Sequence, residues 1–107
     1  MEDNINELKQ ILGDIKPFKA ILFGSYAYET QTNDSDIDLI VVLNKNDMPK
    51  NFNERIQNYS FVKNYFKKLK YKVPMDIIVY TKKEWFNFLE ANNSFTNEIL
   101  EKGKILI

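Results

Sequence analysis

The feature that most constrains this chain is a pair of aspartates at the head of an apolar run. Asp36 and Asp38 are separated by one residue, and the run 39–43 that follows is typical of a buried β-strand. Alternate residues of a strand share a face, so the two Cα atoms are expected about 6.5–7 Å apart. Like charges at that distance repel by about 2 kcal/mol in a medium of effective dielectric about 20. A divalent cation between them turns repulsion into attraction, which favours a metal site.

A competing interpretation, a calcium-binding EF-hand loop, fails at two positions. Asp34, Asp36 and Asp38 alternate as they do in such a loop. The loop also requires Gly at its sixth position and Glu at its twelfth. Those positions hold Leu39 and Lys45, so Asp34 is interpreted as a turn or cap residue.

Composition restricts the available chemistry. The 107 residues include no Cys and no His, which excludes disulfides, thiolate or imidazole metal sites and the Ser-His-Asp triad. Catalysis must therefore rest on carboxylates, hydroxyls, Lys, Arg and oxygen-bound metals. Fifteen basic and 15 acidic residues balance, which gives no electrostatic footprint for DNA or long RNA. We expect one domain over residues 1–107. With no apolar run that could span a bilayer and no signal peptide, we also expect a soluble cytoplasmic protein.

A Gly-Ser pair upstream is a candidate phosphate site. The apolar run 18–23 predicts a strand that ends at Gly24, and Ser25 can cap a short helix over 26–29. Glycine permits a tight turn and close approach of a ligand to the backbone. A helix N-terminus adds free N–H groups and the positive end of a dipole. Gly-Ser turns are common, however, and the pair is a weak signal when taken alone.

Gly24-Ser25, ten intervening residues and Asp36-Ile37-Asp38 together resemble the signature of DNA polymerase β-type nucleotidyltransferases. The chain is most similar to the minimal nucleotidyltransferases, which are about this short and are often encoded beside a HEPN-domain partner. The resemblance is strongest over residues 18–43. It implies an α/β (α+β) fold in which a small mixed β-sheet is flanked by helices.

The chain departs from that family pattern directly after the Gly-Ser pair. Many members carry Arg and Gly there, whereas this chain has Tyr26, Tyr28 and Glu29. An Arg contact to phosphate is therefore not expected. Tyr26 or Tyr28 can stack on a base or pack in the core, and packing is the simpler interpretation.

The resemblance also predicts a third carboxylate on a neighbouring strand. Asp76 lies in the predicted strand 73–80, where Pro74 favours an edge or the start of the strand. A salt bridge to a Lys is the simpler explanation of an acid among apolar residues. We favour a triad of Asp76 with Asp36 and Asp38.

The resemblance implies a role for each candidate site residue. Asp36 and Asp38 would hold two Mg²⁺ ions. Asp76 would hold the catalytic metal and accept the proton of the acceptor hydroxyl. Gly24 and Ser25 would bind the β- and γ-phosphates of ATP. Nothing in the sequence selects adenine over other bases.

The family implies transfer of AMP from ATP to a tyrosine of a HEPN ribonuclease toxin, so that the chain acts as an antitoxin within a hetero-oligomer. Two alternatives stay open. One is a non-catalytic antitoxin or scaffold that neutralises its partner by binding, and the other is a small-molecule nucleotidyltransferase. An RNA-binding role would need a basic face, and the lysines at 63, 67, 68, 70 and 72 are interpreted as a solvated face.

Helical periodicity and capping residues predict the remaining elements. They are a helix over 4–15 capped by Asp3 or Asn4, a long helix over 53–69, a helix over 82–91 with a Thr81–Glu84 capping box, a helix over 95–102 capped by Ser94, and a closing strand over 104–107.

Overall fold

Helices flank a mixed β-sheet in the computed structural model, which describes residues 2–32 and 34–107. Along the chain the elements are α1 (Glu2–Ile15), β1 (Lys19–Phe23), β2 (Ile37–Val42), α2 (Phe52–Tyr65), α3 (Lys67–Lys70), β3 (Met75–Tyr80), α4 (Lys82–Ala91), α5 (Ser94–Lys102) and β4 (Lys104–Ile105). This architecture confirms the predicted fold class.

The order of the four strands in the sheet is β3-β2-β1-β4. β1 pairs antiparallel with both β2 and β4, whereas β2 and β3 are parallel. β3 is therefore an edge strand, which agrees with Pro74 directly before its first residue. β2 is central, and all its residues except Asp38 are buried.

Two apolar cores lie on opposite faces of the sheet, because alternate residues of each strand point to opposite sides. Leu22, Leu39 and Val41 pack in one core with residues of α1, α2 and α3. Ile21, Ile40 and Val42 pack in the other with Trp85 of α4 and Ile99 of α5. The sheet is thus covered on both sides, and its ends remain available for a site.

The predicted long helix over 53–69 is wrong in one respect, because it breaks at Phe66. The Phe66 N–H donates to the Lys63 carbonyl, three residues back, at 3.0 Å, and its ψ of 6° leaves the helical region. Phe66 and Leu69 are both fully buried. The apolar stripe therefore continues across the break, which periodicity alone does not reveal.

Two predicted caps are also wrong by a few residues. α1 begins at Glu2, so Asp3 and Asn4 lie within the helix and do not precede it. α5 begins at Ser94, and its cap is Asn93, whose side chain accepts the Thr96 N–H at 2.9 Å. The capping box of α4 is confirmed, since Thr81 and Glu84 bond reciprocally.

No helix in the described part of the chain combines the length and apolar character needed to cross a membrane.

Candidate active site

Strand pairing brings two of the predicted acids side by side. Asp38 of β2 lies opposite Asp76 of β3 in the parallel register. Neighbouring strands lie about 4.8 Å apart, and residues at matching positions of a parallel pair point to the same face. Asp38 is partly buried and Asp76 is exposed. The sheet therefore sets two carboxylates beside one another at the amino ends of its two parallel strands.

Asp36 lies just outside the sheet. β2 begins at Ile37, whose N–H donates to the Pro74 carbonyl at 2.9 Å. β2 therefore carries Asp38 but not Asp36, because the ladder between β2 and β3 begins at Ile37. Asp36 is exposed, and its charge still acts on Asp38.

Burial and two neighbouring acids oppose the ionisation of Asp38. Burial raises the pKa of the Asp38 carboxyl, and the negative charges of Asp76 and then Asp36 raise it further. None of the ion pairs between described residues includes Asp38 or Asp76. The simpler explanation of Asp76, a salt bridge to a Lys, is therefore not found in that part of the chain. The carboxylates face like charge without a cationic side chain to offset it.

Gly24 lies directly against Asp38. Phe23, the residue before it, is opposite Asp38 in the pairing of β1 with β2. Gly24 has a left-handed φ of 72°, and a Cβ added there would overlap the Asp38 Oδ2 atom and lie 3.1 Å from its Cγ. A side chain at position 24 would therefore occupy the space beside the carboxylate. Only glycine permits both this backbone conformation and this close approach.

The predicted helix over 26–29 is a single turn. The Gly24 carbonyl accepts the Ala27 N–H at 3.0 Å and the Tyr28 N–H at 3.1 Å, and the Thr30 N–H bonds to the Ser25 carbonyl at 3.0 Å. Glu29 then adopts a left-handed φ of 59°, which ends the helical geometry. The expected helix dipole is therefore absent from residues 26–29. The short turn keeps only the N–H groups at its start.

The two tyrosines of this turn have different surroundings. Tyr26 is buried and packs in the core that contains α1. The Tyr28 hydroxyl is buried without a hydrogen-bond partner among the described residues. Burial, then the charge of Glu98, and finally that of Asp38 raise the pKa of Tyr28. Glu98 of α5 is thus a further carboxylate near the site. Nothing in the sequence indicated this, because Glu98 looks like any other polar residue of a helix.

The donor set fits an oxygen-bound metal such as Mg²⁺. Burial raises the pKa of Asp38, and the like charges of Asp76 and Asp36 raise it further, so a bound cation would offset this cost. Mg²⁺ prefers oxygen ligands and commonly keeps several waters beside one or two carboxylates. Within residues 2–32 and 34–107, no three His, Cys, Asp or Glu side chains lie close enough together to form a metal site. The pair Asp38 and Asp76 fits, and the complete triad with Asp36 stays a prediction.

The sequence model of the nucleotidyltransferase domain family matches residues 5–106. The chain belongs to this family. The predicted resemblance to nucleotidyltransferases and the predicted transferase class are thereby confirmed, and a nucleotide substrate is indicated. A search among curated proteins gave no match.

Solved structures with the same fold cover almost all of this nucleotidyltransferase. A toxin-antitoxin crystallised with AMP-PNP is 24% identical, with a TM-score of 0.58, over 95% of this chain and 71% of the other. A mutant of the toxin-antitoxin MntA-HpeT is 22% identical, with a TM-score of 0.57 and the same coverage of 95% and 71%. A protein from Sulfolobus solfataricus described as a nucleotidyltransferase is 18% identical, with a TM-score of 0.61, over 97% and 82%.

Proposed function

We propose that this protein is a Mg²⁺-dependent nucleotidyltransferase that moves AMP from ATP to a tyrosine of a partner HEPN toxin and thereby acts as an antitoxin. The observation that carries the proposal is the pair Asp38 and Asp76 with Gly24 directly against it. It sets two carboxylates side by side as candidate metal ligands, with the Asp38 carboxylate against a backbone that carries no Cβ. Two similar structures are toxin-antitoxin complexes, one of them crystallised with AMP-PNP, which supports both the nucleotide and the partner.

Asp36, Asp38 and Asp76 would hold two Mg²⁺ ions. When bound there, such ions would supply charge neutralisation for the triphosphate and the leaving pyrophosphate and acidify the attacking hydroxyl. The raised pKa of Asp38, caused by burial and then by the charges of Asp76 and Asp36, supports this assignment, because a cation would offset that cost. The exposed position of Asp76 leaves its carboxylate accessible to an acceptor hydroxyl.

Gly24 and Ser25 would bind the β- and γ-phosphates. The first N–H groups of a helical turn have no partner within the turn and are free to donate to phosphate oxygens. The absence of a Cβ at Gly24 leaves room for the Asp38 carboxylate, so phosphates bound at this turn would lie next to Asp38. The Ser25 hydroxyl supplies a further donor.

The transfer is a single displacement at the α-phosphorus. The acceptor oxygen forms a bond to this phosphorus while the bond from phosphorus to the bridging oxygen of the β-phosphate breaks. Asp76 accepts the proton of the acceptor hydroxyl, and pyrophosphate leaves with the electron pair of the broken bond. The products are the AMP ester of the acceptor and pyrophosphate.

A protein acceptor fits the position of the site. Asp76 is on β3, the edge strand of the sheet, and is exposed to solvent. A large acceptor can therefore approach from the open side of that strand. The same openness offers few walls to enclose a small acceptor, which would need a concave site.

The test is an intact-mass measurement of the protein encoded beside this chain, after incubation with this protein, ATP and Mg²⁺. We expect mass increments of one AMP. The Asp36→Ala/Asp38→Ala variant should give none. Asp34→Ala is the matched control, because Asp34 is an exposed acid in the same loop, and it should transfer AMP as the unmodified protein does.

Two outcomes would contradict the proposal. An unmodified partner that binds both the wild type and the double variant would show neutralisation by contact alone. An unmodified partner that binds neither would show that the acceptor is another molecule.

A further inference from the structure

A cavity lies at the opposite end of β2 from the aspartates. Leu43 follows the last residue of β2 and is five positions beyond Asp38, which corresponds to about 16 Å along an extended strand. The cavity is lined by residues from the end of α1, the segment after β2 and the middle of α2. We call it the distal cavity. It belongs to a different part of the sheet from the nucleotidyltransferase site.

The distal cavity has the size and the walls of a ligand site. Its volume is about 490 Å³, within the roughly 300–1,000 Å³ of small-molecule sites. Ile15, Leu43 and Phe61 provide apolar walls. Phe61 is 49% exposed although it is a large apolar side chain. An apolar body of a ligand could cover part of that ring.

The polar lining of the distal cavity consists largely of donors. Lys16 and Lys45 line it together with Asn58, and no acidic side chain is among its lining residues. The Lys45 ammonium donates to the Asn58 Oδ1 atom at 2.7 Å, which fixes the orientation of the Asn58 amide. The lining residues therefore carry two positive charges and no negative one, which suits a negatively charged ligand group.

Asn58 is the second observation that points to a ligand. It is only 4% exposed, and its Nδ2 group has no hydrogen-bond partner among the described residues. A buried N–H group without an acceptor costs free energy, so such groups are rare in folded proteins. A ligand oxygen would supply the acceptor that the fold does not provide.

We propose that the distal cavity binds a small carboxylate with an apolar body. One oxygen of the carboxylate accepts from the Asn58 amide, and the charge is balanced by Lys45 and Lys16. The apolar body lies against Ile15, Leu43 and Phe61. A carboxylate with an apolar body fits better than a free phosphate because the ligand must also cover apolar walls, and no helix N-terminus that would favour phosphate is among the lining residues.

The test uses sodium octanoate as the probe and octanamide, which has the same chain without the charge, as its partner. Binding is followed through the side-chain amide NMR signal of Asn58, assigned by its absence in Asn58→Leu, and through calorimetric titration. We expect octanoate to shift the Asn58 signal and to bind at least about tenfold more tightly than octanamide.

Variants identify the location of the binding. Lys45→Met and, independently, Lys16→Met should weaken octanoate binding about tenfold each, because each removes a cation from the distal cavity. Lys83→Met is the matched control, since Lys83 is an exposed lysine of α4 that does not line the cavity, and it should leave the affinity unchanged. Using two lysine variants keeps the test valid if one of them folds poorly.

Three results would overturn the proposal. They are equal affinities for octanoate and octanamide, unchanged octanoate affinity in both cavity variants, and an Asn58 amide signal that does not move while octanoate binds. Failure here would leave the nucleotidyltransferase proposal intact, because Asp38, Asp76 and Gly24 take no part in the distal cavity.

Discussion

The carboxylates near the two ends of β3 have opposite surroundings. Beyond the carboxyl end, Glu84 of α4 is only 8% exposed, yet both its oxygens have partners: Oε1 accepts the Thr81 N–H at 3.0 Å, and Oε2 lies 2.6 Å from Arg55 Nη1. Near the amino end, Asp76 stands beside Asp38, neither is in an ion pair among the described residues, and the pKa of Asp38 is raised. A fully partnered acid serves the fold, whereas crowded acids without a cation are suited to binding one.

The largest expected effect is on activity at the crowded end. Asp38→Ala should reduce AMP transfer at least about 100-fold, because it removes a proposed metal ligand. Arg55→Met changes the partnered end and should leave the transfer rate per folded molecule unchanged. The rates are compared by intact-mass time courses on the partner. Equal losses in both variants would show that the two ends do not differ in function.

Gly24 can be compared directly with Gly13, a glycine that lies outside the candidate site. Gly24→Ala should lower the free energy of unfolding by at least about 1–2 kcal/mol, from its left-handed φ of 72° and the overlap with Asp38, and should abolish nucleotide binding. Gly13→Ala should stabilise by up to about 1 kcal/mol, since Gly13 lies in α1 and an added Cβ would meet nothing within 4 Å. Denaturant unfolding measures both. If the free energy of unfolding changes with the same sign in both variants, Asp38 does not crowd position 24.

Arg55 tests whether the partnered end serves stability. Arg55→Met leaves the buried Glu84 carboxylate without its cation and should lower the free energy of unfolding by about 1–2 kcal/mol, a range reduced because Arg55 is 49% exposed. Lys83→Met is an exposed control on α4 and should change stability by less than about 0.5 kcal/mol. If the two variants have the same free energy of unfolding, the Arg55–Glu84 pair contributes nothing to stability.

The smallest expected effect is the pH dependence of stability that arises from Asp38. The raised pKa of Asp38 means that the folded state disfavours its charged form, so stability from this group is present below the ordinary value of 3.8 and is lost as the pH rises through the raised value. In the presence of EDTA, Asp38→Asn should therefore be more stable than the wild type at pH 7, by about 0.5–1 kcal/mol after solvent screening. The difference should vanish near pH 3. A variant less stable at pH 7 would show that the Asp38 charge is already compensated.

Much of the fold could be predicted because it is encoded locally. The apolar runs after Pro17 and after Asp38 predict β1 and β2. The Thr81–Glu84 capping box predicts the residue at which α4 begins. The break at Phe66 could not be predicted, since the apolar stripe has the same period on both sides of it. Likewise, β2 begins at Ile37 because Ile37 bonds to Pro74, a contact between distant segments.

The candidate site divides in the same way. The motif from Gly24 to Asp38 suggested the site through its resemblance to nucleotidyltransferases, and that resemblance pointed to Asp76 in a neighbouring strand as a further acid. The contact between Gly24 and Asp38 depends on the register of β1 with β2, which the sequence does not specify. Arg55 and Glu84 are 29 residues apart, and their pairing had no sequence signal.

The most direct test of the metal and nucleotide site is thermal unfolding with Mg²⁺ and AMP-PNP, a slowly hydrolysed ATP analogue, in the wild type and in Asp38→Asn. The account predicts that the ligands raise the Tm of the wild type, that Asp38→Asn has the higher Tm without ligand, and that the variant does not respond to the ligands. Unchanged melting curves in all of these comparisons would contradict the assignment of the Asp38–Asp76 pair as a metal–nucleotide site.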